Sequence, residues 1–78
     1  MTATRYYAAI GDDGARPVVW GCGRTRGAAR RDAHQWLSDN APAVRGQPLQ
    51  IARITADVYA QILVGVVSCD ALGIEVLR

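Results

Sequence analysis

Two short stretches of alternating apolar positions open the chain. Between Arg5 and Ile10, Tyr6, Ala8 and Ile10 fall on one side of an extended backbone and Tyr7 and Ala9 on the other, a pattern that predicts a strand. Gly11-Asp12-Asp13-Gly14 supplies residues that tolerate positive φ, so a hairpin turn is expected there. Pro17 then marks entry to a second strand, with Val18, Trp20 and Cys22 expected on one face and Val19 and Gly21 on the reverse. The period changes after Gly21-Cys22-Gly23-Arg24. Thr25 is an N-cap residue type, and from Arg26 to about Asn40 the residues Ala29, Ala33, Trp36 and Leu37 gather on one side at about 100° per residue, predicting a helix that covers the sheet. Asn40 and Pro42 stop it, and 41–48 reads as a surface loop.

Leu49 to Ile54 returns to strand character with both faces partly apolar, which suggests a central position in the sheet. Thr55 is the next N-cap type, and Asp57 in the first turn complements the helix dipole. Val58 and Ile62, with the Tyr59/Leu63 pair, give helical contacts up to a stop at Gly65. The last segment supports two readings. Ser68 caps a short helix with Asp70 in its first turn, or Gly73 to Leu77 alternates as a strand. The sum is one α+β domain over residues 1–78, a three-stranded antiparallel sheet packed against two or three helices, in the order β-β-α-β-α and then a short helix or strand.

Length and composition set bounds on this picture. At 78 residues the chain buries only about 60% of the surface its unfolded form exposes, so stability is limited and there is no room for a second lobe. All nine basic residues are Arg, and a net charge of +2 does not by itself announce a nucleic-acid binder. The longest apolar run, Ile62 to Val67, is interrupted by Gly65 and falls well short of the roughly 18 residues of a membrane span. The N-terminus lacks the basic-then-apolar order of a secretion signal, so a cytoplasmic protein is expected.

Candidate chemistry is sparse. His34 is the one histidine, on the helix flank away from Ala29 and Ala33, and no nucleophile, base and orienting group come together, so no enzyme is expected. One His and two distant Cys do not make a metal site, and no cofactor motif is present; Gly21, Gly23 and Gly27 lack the Gly-Lys-Ser/Thr ending of a phosphate loop. Charge is more informative. Arg24, Arg26, Arg30 and Arg31 fall within eight residues, and projected on the helix Arg30, Arg31 and His34 form one strip while Asp32 and Asp39 lie on the other flank. With Asp12 and Asp13 at the hairpin tip, these carboxylates define a candidate acidic, partner-binding face; Arg24, Arg30 and Arg31 define the alternative basic one. Cys22 reads as a small core residue. Cys69, between Ser68 and Asp70 at a helix start, reads either as an exposed thiol able to form an interchain disulfide, and so a homodimer, in an oxidising buffer, or as a buried and inert one.

An aromatic hairpin with one covering helix resembles the small anti-CRISPR proteins of phages and mobile elements. Over its whole length, including Trp20-Gly21-Cys22-Gly23-Arg24-Thr25 and Ser68-Cys69-Asp70, the chain resembles an inhibitor of the type I-C Cascade complex. The resemblance implies a non-enzymatic protein acting in the host bacterial cell. It would bind Cascade directly, without direct nucleic-acid or membrane binding, and block engagement of target DNA as a DNA mimic through a local acidic face. A net positive chain departs from the strongly acidic composition of such mimics, so the mechanism requires Asp12, Asp13, Asp32 and Asp39 to cluster apart from the arginines. Two other classes remain. One is a small nucleic-acid-binding or antitoxin-like domain using Arg24, Arg30 and Arg31; the other is a structural phage protein that self-associates through Tyr6, Tyr7 or Trp20.

Overall fold

The computed structural model describes residues 4–74. β1 (Tyr6–Asp12) and β2 (Pro17–Gly23) form an antiparallel hairpin, followed by α1 (Arg26–Asn40), a 3-10 turn (Pro42–Val44), β3 (Gln50–Ile54), α2 (Ala56–Leu63) and α3 (Cys69–Leu72). The fold is α+β, with a three-stranded antiparallel sheet in the order β2-β1-β3. Helix α1 covers one side of it and α2 with α3 the other, because Ala9, Ala29 and Ala33 form one buried cluster and Ala8, Ile10, Val19, Ile54, Cys69 and Leu72 form a second. The alternation along β1 separates them, with Tyr6 joining the second cluster and Tyr7 the first.

β3 is an edge strand and β1 is central, contrary to the expectation for Leu49 to Ile54. Its two apolar faces have another cause. Leu49 and Ile51 pack toward α1 while Ala52 and Ile54 pack toward α2 and α3, so the strand is apolar on both sides because the molecule has three layers. The hairpin turn also falls later than the glycines suggest: β1 runs through Gly11 and Asp12, and the chain reverses over Asp13 to Arg16, where the Asp13 N–H donates to the Arg16 carbonyl at 3.2 Å.

The expected strand face of Val18, Trp20 and Cys22 is broken by a bulge. Ala9 pairs with Gly21 but Ile10 pairs with Val19, leaving Trp20 as the extra residue. Trp20 therefore joins the α1 side, and Cys22, opposite Ala8, faces the α2 and α3 side. The helix signals hold. Thr25 Oγ1 accepts from Ala28 N at 3.0 Å and Thr55 Oγ1 from Val58 N at 3.2 Å. Asp57 lies in the first turn of α2, and the chain leaves that helix through Gly65 at φ 105°. Tyr59 packs on Tyr6 with centroids 4.4 Å apart and planes tilted by 35°, whereas its expected partner Leu63 is 65% exposed.

The final segment begins with the short helix. Ser68 occupies the N-cap position of α3 without a side-chain bond, Asp70 lies in the first turn, and Gly73 closes it at φ 72°. Neither Gly73 nor Ile74 is in a strand, and the rest of the alternative strand to Leu77 lies outside the described residues. The approach to α3 also covers the outer edge of β2, where Val19 N donates to the Val67 carbonyl at 2.7 Å and Ser68 bridges to Val18.

Candidate functional site: the two flanks of α1

Close packing fixes where α1 presents its charges. Ala29, Ala33 and Leu37 are fully buried along its inner face, and Gly21 lies directly beneath. A Cβ at Gly21 would sit 2.7 Å from Ala33 Cα and 2.9 Å from the Ala29 carbonyl oxygen, so only glycine lets the helix approach this far. Helix and sheet meet almost backbone to backbone, leaving little freedom for the helix to roll.

Three contacts orient the flanks. On one, Asp32 Oδ2 accepts from Cys22 N at 3.0 Å, and Trp36 stacks on Trp20 with centroids 5.1 Å apart and planes inclined by 27°. This flank overhangs β2. On the other, the Arg26 guanidinium lies 5.6 Å from the centre of the Tyr7 ring on β1. Tyr7 is directly opposite Arg53 of β3, so this flank looks toward β3.

The four predicted carboxylates are all exposed, but they do not form one uniform face. Asp32 and Asp39 share the β2 flank, two helical turns apart, about 10 Å along the axis. Asp39 Oδ2 accepts from Gln35 Nε2 at 2.9 Å, which holds it against its own helix. Since β2 runs from the hairpin tip to the start of α1 and α1 returns along it, Asp39 lies toward the tip, the end that carries Asp12 and Asp13. There, Asp12 Oδ1 accepts from Gly14 N at 2.6 Å, while Asp13 Oδ1 accepts from Ala15 N at 2.8 Å and Arg16 N at 2.9 Å. The backbone bonds from Arg16 and Ala15, with the nearby Arg16 charge, lower the Asp13 pKa from its ordinary value. Arg16 shares the turn, so the tip is mixed in charge. The evenly acidic part is Asp32 and Asp39.

The basic residues are also redistributed. Arg24 lies in the turn before α1, and Arg30 follows Arg26 by four residues on the flank that faces β3. Arg31 is about 100° further round and projects away from the sheet, so it shares no groove with Arg30. His34 is exposed, as expected. Sequence reasoning passed over Tyr7 and Arg53 as members of this group. The i, i+4 spacing of Arg26 and Arg30 is readable in the chain, but the pairing of Tyr7 with Arg53 across strands is not.

Of the two readings of Cys69 the buried one holds, and Cys22 is less buried than a core residue. Cys69 is 1% exposed within the α2 and α3 cluster, which overturns the reading of it as an exposed thiol; Cys22 is only half-buried. Leu72 and Cys69 are the two buried residues of α3, so this face of the short helix turns inward with its thiol. Burial first, and the Asp70 charge second, push the Cys69 thiol pKa up, disfavouring the reactive thiolate. An interchain bond at Cys69 requires α3 to leave the core. Burial followed by the Asp32 charge raises Cys22 in the same direction.

Compared with protein-family models, with curated proteins and with solved structures, the chain finds no match in any of the three. Among the described residues, no helix is long and apolar enough to cross a membrane and no group of three or more potential ligands is placed to hold a metal ion.

Proposed function

We propose that the protein is a non-enzymatic inhibitor that binds the type I-C Cascade complex in the host cell and keeps it from target DNA. Its proposed contact is narrower than the four-carboxylate cluster expected from the sequence: Asp32 and Asp39 on the β2 flank of α1 imitate a DNA backbone locally, without Asp12 and Asp13, which share their turn with Arg16. The observation that carries this reading is the segregation of charge on one tightly held helix: Asp32 and Asp39 on the side of β2, Arg26 and Arg30 on the side of β3. Asp32 and Asp39, about 10 Å apart along the axis of α1, present two carboxylates in line that can accept from the cationic groups of a channel that otherwise grips phosphates. The local field steers docking, and the +2 total does not prevent it.

The test is a pull-down against purified type I-C Cascade with and without target DNA. Wild type is expected to bind and to be displaced by DNA, whereas Asp32→Arg/Asp39→Arg is expected to lose binding while keeping its circular dichroism spectrum. Undiminished binding by the folded double variant overturns the acidic contact, and failure of wild type to bind overturns the assignment.

A further inference from the structure

The opposite flank of α1 carries a second surface, and it stands whether or not the chain binds Cascade. The helix lies chiefly over β2 and β1, so β3 forms the margin of this face, with Ile51 only partly buried and Arg53 exposed. Tyr7 on the floor is partly exposed, with Arg26 above its ring and Arg53 beside it across the strand pair. Arg30 continues the line one turn along the helix. The described carboxylates are placed elsewhere: 12 and 13 at the hairpin tip, 32 and 39 on the β2 flank, 57 and 70 on the helices beneath the sheet. Three guanidinium groups and a phenol ring thus line one trough.

We infer that this trough, built by Tyr7, Arg26, Arg30 and Arg53, binds single-stranded nucleic acid. Guanidinium groups along a line match successive phosphates, and each is a planar fork that pairs with phosphate oxygens on two points. The partly exposed Tyr7 ring, with the Arg26 guanidinium 5.6 Å from its centre, is a flat surface on which an unpaired base can stack, and a duplex, with its bases already stacked, cannot use it. Single-stranded occupancy therefore accounts for both the charge and the aromatic floor, whereas a duplex accounts for the charge alone.

The test is fluorescence anisotropy of the whole protein, in reducing buffer, with labelled twelve-nucleotide oligo-dT and oligo-U, repeated with a twelve-base-pair duplex and over a series of salt concentrations. Binding in the micromolar range at low salt is expected, tighter for the single strands than for the duplex. Three phosphate contacts give a slope of log K against log salt of about −2 for a single strand, and each of Arg26→Gln and Arg53→Gln should reduce its magnitude by about 0.7. Tyr7→Leu, which keeps an apolar side chain on the floor, should weaken binding about tenfold by removing the stacking surface. Absence of binding at low salt, preference for the duplex, or unchanged affinity in both Arg variants overturns the inference. Arg24→Gln and Arg31→Gln, outside the trough, should leave affinity within about twofold; a larger loss there than at Arg26 and Arg53 also overturns it. Since Asp32→Arg/Asp39→Arg leaves the trough intact, loss of Cascade binding and loss of oligonucleotide binding are separable outcomes.

Discussion

The side of the sheet under α1 and the side under α2 and α3 are packed by different means. Beneath α1 the fit is made by Ala9, Ala29, Ala33 and Gly21, so the backbones nearly touch. Beneath α2 and α3 it is made by Ile10, Val19, Ile54 and Leu72, with Tyr6, Val58 and Ile62 around them, while Leu63 and Val64 remain exposed on the connection. A close contact of small residues leaves no room for adjustment, and a layer of larger side chains can be repacked. Both charged surfaces are ordered by α1, the element whose rotation and height the sheet fixes: Asp32 and Asp39 lie on one flank of it, and on the other Arg26 and Arg30 face Tyr7 and Arg53 of the sheet.

The largest expected effect comes from filling the tight side. Gly21→Val places carbon atoms against the α1 backbone and should cost about 3 kcal/mol or more, enough to remove most of the stability of a domain this small, as read by urea denaturation. Truncation on the other side should be gentler. Leu72→Ala removes one of the larger buried side chains and should cost about 2 to 3 kcal/mol, much of it through release of the four-residue α3, so amide exchange should rise there more than in α1. If both substitutions loosen α1 equally, the two sides are not independent. Thr25→Ala removes the bond to Ala28 N and should cost about 1 kcal/mol, seen as a lower urea midpoint. The smallest effect is chemical. A thiol reagent applied to the native protein should label half-buried Cys22 first and buried Cys69 slowly, with both fast after denaturation. Equally fast labelling in the native state would place α3 outside the core.

Much of this architecture can be read along the chain, for identifiable reasons. Thr25 and Thr55 act locally, each on an N–H three residues away, so their signals survive without tertiary information. The buried face of α1 follows from period alone. What escaped depended on contacts distant in sequence. The bulge at Trp20 arises because β2 must match β1 one residue out of step, and nothing within Pro17–Gly23 announces it. The neighbours of Cys69 left an exposed and a buried thiol both open, and the choice between them is set by the turn of α3 onto Ile10, Val19 and Ile54. At the candidate site, the opposite flanks of Asp32 and Arg30 were legible from helical angle. The bond from Cys22 N to Asp32, ten residues apart, and the Tyr7–Arg53 pair required the folded sheet.

Of the two oppositely charged flanks of α1, the acidic one is proposed to meet Cascade. The most direct measurement compares Cascade binding of wild type, Asp32→Arg/Asp39→Arg and Arg26→Gln/Arg53→Gln by pull-down in the presence and absence of target DNA. The aspartate variant is expected to lose binding and the arginine variant still to bind in competition with DNA. Binding that survives in the aspartate variant and disappears in the arginine variant would contradict the proposed acidic contact.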